Sequence, residues 1–250
     1  TTITFNGTTV VTSDSDTVTV DGTTITINQA GSYTLTGNGS SYTIIVSGSV
    51  TDPVTIYLDG VTLTDSSITS NSSAELTVNV LSDSSISSTS ANAIEAAGAL
   101  TITSGTGSTL TLSCTEKHAI KADSVTVDSV TLDLTSEAKD GINATTAVTI
   151  KNATVNITAT DDGINATEWT TKDSADTSSL TNSTSDLENE VGINIDGATV
   201  TILADGDGID SNGNVTVKSG SLYVAQTSAD NAAIDYDGTG IISGGTVWAI

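Results

Sequence analysis

Three aspartates stand in one repeated phrase. Asp140-Gly141-Ile142-Asn143-Ala144-Thr145 recurs unchanged as Asp162-Gly163-Ile164-Asn165-Ala166-Thr167, a shift of 22 residues (164 − 142), and Asp207-Gly208-Ile209-Asp210 is a third copy. If the copies stack, the three carboxylates occupy the same place on neighbouring coils, with Asp161 and Asp205 close by. Three residues further on, Asn143, Asn165 and Asp210 form a second oxygen-bearing column. Bare carboxylates about 5 Å apart repel by several kcal/mol at low effective dielectric. They must splay into water or share a cation. Calcium takes roughly 6–8 oxygen ligands from carboxylates, amides and backbone carbonyls, and the glycine after each aspartate would let carbonyls approach it. The single His118 and single Cys114 cannot build a zinc or copper site. The expected metal ligands are therefore Asp140, Asp161, Asp162, Asp205, Asp207, Asp210, Asn143 and Asn165, with calcium as the ion. The Asp-Gly pairs at Asp21, Asp59, Asp196 and Asp237 read as ordinary turns.

Stacking needs elements that repeat. Weaker copies of the phrase begin at Asn92, His118 and Ala232, and between copies runs an alternating apolar–polar stretch such as Val148–Ile157. Self-similarity at this period marks a solenoid. About 22 residues are too few for a βαβ unit, so each coil is expected to hold three short strands, each paired in parallel with its counterpart one coil on. Crossovers of this kind are right-handed. The interval from Ile164 to Ile209 is 45, but Ile193–Ile202 aligns with Val148–Ile157, so the excess of 23 (45 − 22) is an acidic insertion at 168–190. Residues 1–37 read as an N-terminal cap and first coils, and 38–250 as the solenoid. The fold expected is all-β: a right-handed parallel β-helix of about 22 residues per coil, with an N-terminal β cap. Alternation turns Ile142, Val148, Ile150, Val155 and Ile157 inward, and Asp133, Asn156, Thr201, Tyr223 and Trp248 outward on successive coils.

Composition agrees. The chain is 36% hydrophobic but only 3% aromatic, which suits a narrow interior of β-branched side chains. Its net charge is −24, from 30 acidic and 6 basic residues, all of them lysine. No basic patch exists for phosphates, so nucleic acid is not expected as a partner. No apolar run approaches the roughly 18 residues of a membrane span, so no membrane insertion is expected. One cysteine excludes an internal disulfide.

The DGIN/DGID phrases, Ile25-Thr-Ile-Asn-Gln-Ala-Gly-Ser-Tyr-Thr-Leu-Thr-Gly37 and Val54-Thr-Ile-Tyr-Leu-Asp-Gly-Val-Thr-Leu63 together resemble one known group. It is the calcium-binding carbohydrate-binding β-helix family of secreted bacterial proteins, similar in fold to family 9 pectate lyases. The resemblance implies calcium among the coils, a secreted, extracellular or cell-surface location, and a polysaccharide partner such as cellulose or polygalacturonate. It implies that Asp140, Asp162 and Asp207 are calcium ligands, and that the coils of His118 and Ala232, which break the phrase, lack an ion.

Three functions follow as expectations. The first is non-catalytic polysaccharide binding, with Tyr223 and Trp248 as outward neighbours and Trp169 at the start of the insertion offering aromatic faces. The second is a structural subunit of an extracellular fibre or surface layer, formed by end-to-end self-association. The third is a calcium-dependent pectate lyase with Lys139 as base. Arginine, which would hold a uronate carboxylate, is absent, and a lysine flanked by acids has its pKa raised rather than lowered.

Overall fold

Alternating Thr with Val, Ile or Leu gives the backbone period-2 amphipathicity and little helix propensity. In the computed structural model, which describes residues 1–167 and 191–250, this pattern forms 26 strands and no helix among the described residues. They wind into a parallel β-solenoid of about 8 turns. From Ile142 on each coil contributes three strands, whereas in the two coils before it the first two run together as Ile94–Thr103 and Ile120–Asp128; each strand pairs with its counterpart on the next coil. Column one contains Ile142–Ala144, Ile164–Ala166 and Ile209–Ser211. Column two contains Ala147–Lys151, Gly192–Asp196 and Asn214–Val217. Column three contains Thr154–Ala159, Ala198–Ala204 and Gly220–Gln226.

The register is the one that the repeats dictate. Ile142 pairs with Ile164 and Ile164 with Ile209, while Val148 pairs with Ile193 and Val155 with Val200. The alignment across 168–190 is therefore the structural one, although the insertion itself lies outside the described residues. Coil length is not constant: it is 22 residues from Ile142 to Ile164 but 26 from Ile94 to Ile120.

Inward positions stack into one continuous core. Ile142, Val148, Ile150, Val155, Ile164 and Ile209 are fully buried. Each such side chain is worth about 1.5–3 kcal/mol in hydrophobic transfer, and each packs on its own kind one coil away. Cys114 joins them as a small buried residue. At the N-terminal end the strands turn antiparallel: Thr2–Gly7 with Thr9–Thr12, and Val18–Asp21 with Thr24–Ile27. Thr2–Gly7 also lies parallel on Gly31–Ser40, burying Ile3 and Phe5. The Phe5 ring meets Tyr42 edge-on at 4.9 Å. Gly22, Gly60 and Gly197 have φ of 59°, 63° and 65°, as Asp-Gly turns require. Gly238, after Asp237, is not left-handed, yet the chain bends at Asp237 and Gly238 between Ile234–Tyr236 and Gly240–Ile242.

Candidate functional site

The aspartates of the repeated phrase lie just before column one, where the chain rounds a corner and its N–H groups would lack strand partners. Each side chain supplies one. Asn92 Oδ1 accepts the His118 N–H at 2.9 Å, and His118 Nδ1 accepts the Asp140 N–H at 3.2 Å. Asp140 Oδ1 accepts the Asp162 N–H at 3.1 Å, and Asp162 Oδ1 accepts the Asp207 N–H at 2.7 Å. Asp207 Oδ1 accepts the Ala232 N–H at 2.6 Å. The other oxygen is used within its own coil: Asn143 Nδ2 donates to Asp140 Oδ2 and Asn165 Nδ2 to Asp162 Oδ2, both at 2.7 Å. The spacing of Asn three residues after Asp is thus a side-chain clamp.

The glycines of the phrase serve a packing purpose. Gly141, Gly163 and Gly208 have no left-handed φ, so they are not turn glycines. The Asp162 and Gly163 carbonyls accept the Gly141 and Ile142 N–H groups of the preceding coil. They are glycines because the coils touch there. A Cβ on Gly163 would lie 2.5 Å from the Gly208 carbonyl oxygen, and one on Gly141 would lie 2.8 Å from that of Gly163.

Stacked carboxylates still carry charge. Burial, with the Asp140 charge second, pushes Asp162 up to about 7. Burial followed by the Asp207 charge pushes Asp210 up to about 6, and burial raises Asp140. His118 goes the other way: burial, then Lys121, Lys139 and Lys117, lowers it to about 4. Its Nδ1 lies 3.4 Å from Asp140 Oδ2, yet the main-chain N–H aimed at Nδ1 requires a lone pair there, so the ring is neutral and the contact is not an ion pair. His118 is structural.

The carboxylates gather into two groups rather than one column. Asp140, Asp161 and Asp162 form one, and Asp207, Asp210 and Asp235 the other; within each, one oxygen per residue lies within 4.8 Å of the rest. Asp235 was missed by sequence reasoning. It pairs in register with Asp210, so the phrase beginning at Ala232 contributes a carboxylate even though its first residue cannot. Asp205 belongs to neither group and accepts the Thr227 hydroxyl at 2.6 Å. Asn165, in register with Asp210, keeps a buried Oδ1 that has no hydrogen-bond partner among the described residues. An all-oxygen donor set with an orphaned amide oxygen beside it fits a hard cation.

On column three the expected outward residues do face solvent: Asp133, Asn156, Thr201, Tyr223 and Trp248 pair in succession. Trp169 lies outside the described residues. Lys139 is exposed, one coil from Lys117.

A family model described as carbohydrate-binding domain-containing protein matches residues 21–175, which is more than half of the chain. The chain belongs to this carbohydrate-binding family. Among solved structures, the carbohydrate-binding chain is similar to the polysaccharide lyase-like protein from C. thermocellum, solved as a gadolinium derivative. The TM-score is 0.66 and the identity 18%, over 98% of each chain. At that identity the likeness establishes the shared fold alone. No curated protein matches the chain. The family match includes Asp140, Asp162 and the Asp133–Asn156 pair; Asp207, Asp210, Asp235, Tyr223 and Trp248 lie beyond it in sequence.

Proposed function

We propose that this chain is a non-catalytic polysaccharide-binding module of a secreted or cell-surface protein, stabilised by calcium at its acidic groups. Membership of a carbohydrate-binding family is the observation that carries the binding function. For the cation, the favoured ligands are Asp207, Asp210 and Asp235 with the orphaned Asn165 Oδ1 beside them; Asp140, Asp161 and Asp162 are the second set. Bound calcium would supply positive charge that lets half-buried carboxylates stay ionised. Asp140 and Asp162 hold backbone and amide donors with or without it. Retention on insoluble cellulose and on polygalacturonate, measured with and without chelator, tests the reading. A chain that binds neither is not a polysaccharide-binding module.

The likeness to a polysaccharide lyase-like protein favours one assay of the catalytic alternative. Release of unsaturated uronide at alkaline pH with calcium would overturn the non-catalytic reading. The structural alternative, an end-to-end assembled subunit, has a test of its own. Ordered filaments in electron micrographs of purified protein would favour end-to-end assembly.

A further inference from the structure

The antiparallel cap leaves two strand edges open. Among the described residues, Thr9–Thr12 pairs with Thr2–Gly7 alone, and Val18–Asp21 with Thr24–Ile27 alone. A strand edge is a template for another strand, and proteins usually guard it with charge, proline or a bulge. The two edges are not guarded alike. Val18–Asp21 ends in Asp21, with Asp14 and Asp16 just before the strand. Thr9–Thr12 has no such guard. Its pairing runs without a bulge, and no ionisable side chain or proline stands between Thr1 and Ser13, in a chain of net charge −24. Its Val11 is 63% exposed.

The backbone groups on this edge follow from the ladder. Ser13 N–H donates to the Thr2 carbonyl at 2.9 Å, so by antiparallel alternation Thr9 and Val11 turn their main-chain groups toward Thr2–Gly7. Val10 and Thr12 turn theirs away. Val10 packs against the buried cluster, while Val11 and its register partner Thr4 are exposed on the other side of the sheet. Such an edge is complementary to itself. Rotated about a two-fold axis through Val11, a second copy sets its Thr12 against Val10 and its Val10 against Thr12. The outward N–H and C=O groups of all four residues then pair, Val11 meets Val11, and the core sides of both chains fall on one face of the joined sheet.

We propose that the Thr9–Thr12 edge joins two copies of this chain, cap to cap, in a closed antiparallel dimer. A contact with two-fold symmetry uses the same patch on both copies and leaves no strand edge there for a third, so it differs from an open filament. The occupant is a second copy because the edge is uncharged and matches itself in register; a basic partner would be drawn to the acidic coils instead. The contact is small, below the about 1,200 Å² of a standard interface, so a reversible dimer is expected at protein concentrations on the order of 0.1–1 mM. Each copy carries −24, and salt that screens this repulsion should favour the dimer.

Sedimentation velocity of the full chain over this concentration range, in about 10 mM and about 150 mM salt, tests it. Wild-type chain should pass from monomer to dimer as concentration rises, more readily at the higher salt. Val11→Lys puts a charge at the exposed centre of the edge; it should keep the thermal midpoint and stay monomeric. Crosslinking checks the register. Opposed Cα atoms of a non-hydrogen-bonded antiparallel pair lie about 4.5 Å apart, within the roughly 4.4–6.8 Å that a disulfide spans. Val11→Cys should therefore oxidise to a disulfide-linked dimer. Thr9→Cys, roughly 14 Å from its copy in this register, should not, and neither should wild type, whose Cys114 is buried. Wild-type chain that stays monomeric at about 1 mM would overturn the proposal. So would Val11→Lys chain that dimerises like wild type, or Thr9→Cys that crosslinks as fully as Val11→Cys. Ordered filaments in place of a dimer, or association that salt weakens, would also overturn it.

Discussion

Asp140 Oδ1 accepts the backbone N–H of Asp162 across one full coil, at 3.1 Å. The same bond recurs from Asp162 to Asp207 and from Asp207 to Ala232. The repeated aspartate is therefore first a coil-to-coil clamp, and a cation ligand only in addition. A neutral acceptor does the same work where charge is absent, as Asn92 and His118 do lower in the stack.

Asp140→Ala leaves two donors without their acceptor, the Asp162 N–H and Asn143 Nδ2. An unsatisfied buried donor costs about 1–3 kcal/mol, and this variant should lose at least that in chemical denaturation. Asp140→Asn can still accept through Oδ1 but sets an amide NH₂ against Asn143, so its loss should be smaller but measurable.

Gly163→Ala places a methyl 2.5 Å from the Gly208 carbonyl oxygen, which is held in the inter-coil ladder. Overpacking typically costs about 1–3 kcal/mol, and with backbone on the other side the upper end or beyond is expected. Gly105→Ala, with nothing within 4 Å of the new Cβ, should be close to neutral in the same denaturation series.

Chelated protein should become more stable as pH falls from 8 to 5. Asp162 and Asp210 have folded-state pKa values raised to about 7 and about 6, above an unfolded value of about 3.9. The fold binds their protons more tightly than the unfolded chain does. Their contribution is fully present below the unfolded pKa and is lost as pH rises through 6 and 7. Saturating calcium should flatten this dependence, because a cation takes the place of the protons. Thermal midpoints across this range, with and without calcium, provide the check.

Calcium added to chelated protein at about 100 times its dissociation constant should stabilise it by about 2.7 kcal/mol per independent site. Asp210→Asn and Asp235→Asn should each reduce that gain, whereas Asp205→Asn, outside both groups, should keep it. An equal gain in all three variants would remove the Asp207–Asp210–Asp235 group as a cation site.

Much of the architecture was legible because a solenoid repeats its physics. Alternation placed Ile142, Val148 and Val155 inside and Asn156 and Tyr223 outside, and the aligned phrases predicted which residues become register partners. The site was harder to read. The packing role of Gly163 stayed hidden, since nothing in one coil reveals that the next lies within a methyl of it. Asp235 was passed over because the phrase had lost its aspartate at Ala232, although its fourth position kept the carboxylate. The 24- to 26-residue coils blurred a period that only the 22-residue copies display.

The amino-acid sequence by itself determined the stacking: period, strand count per coil and the inward or outward sense of each side chain follow from local alternation and from identity between copies. Tertiary structure alone decided what the stacked aspartates do. Whether a carboxylate meets an N–H, an amide or another carboxylate depends on the offsets between coils. Those offsets are set by close packing at Gly141, Gly163 and Gly208, and they sort one predicted column into a hydrogen-bonded ladder and two acidic groups.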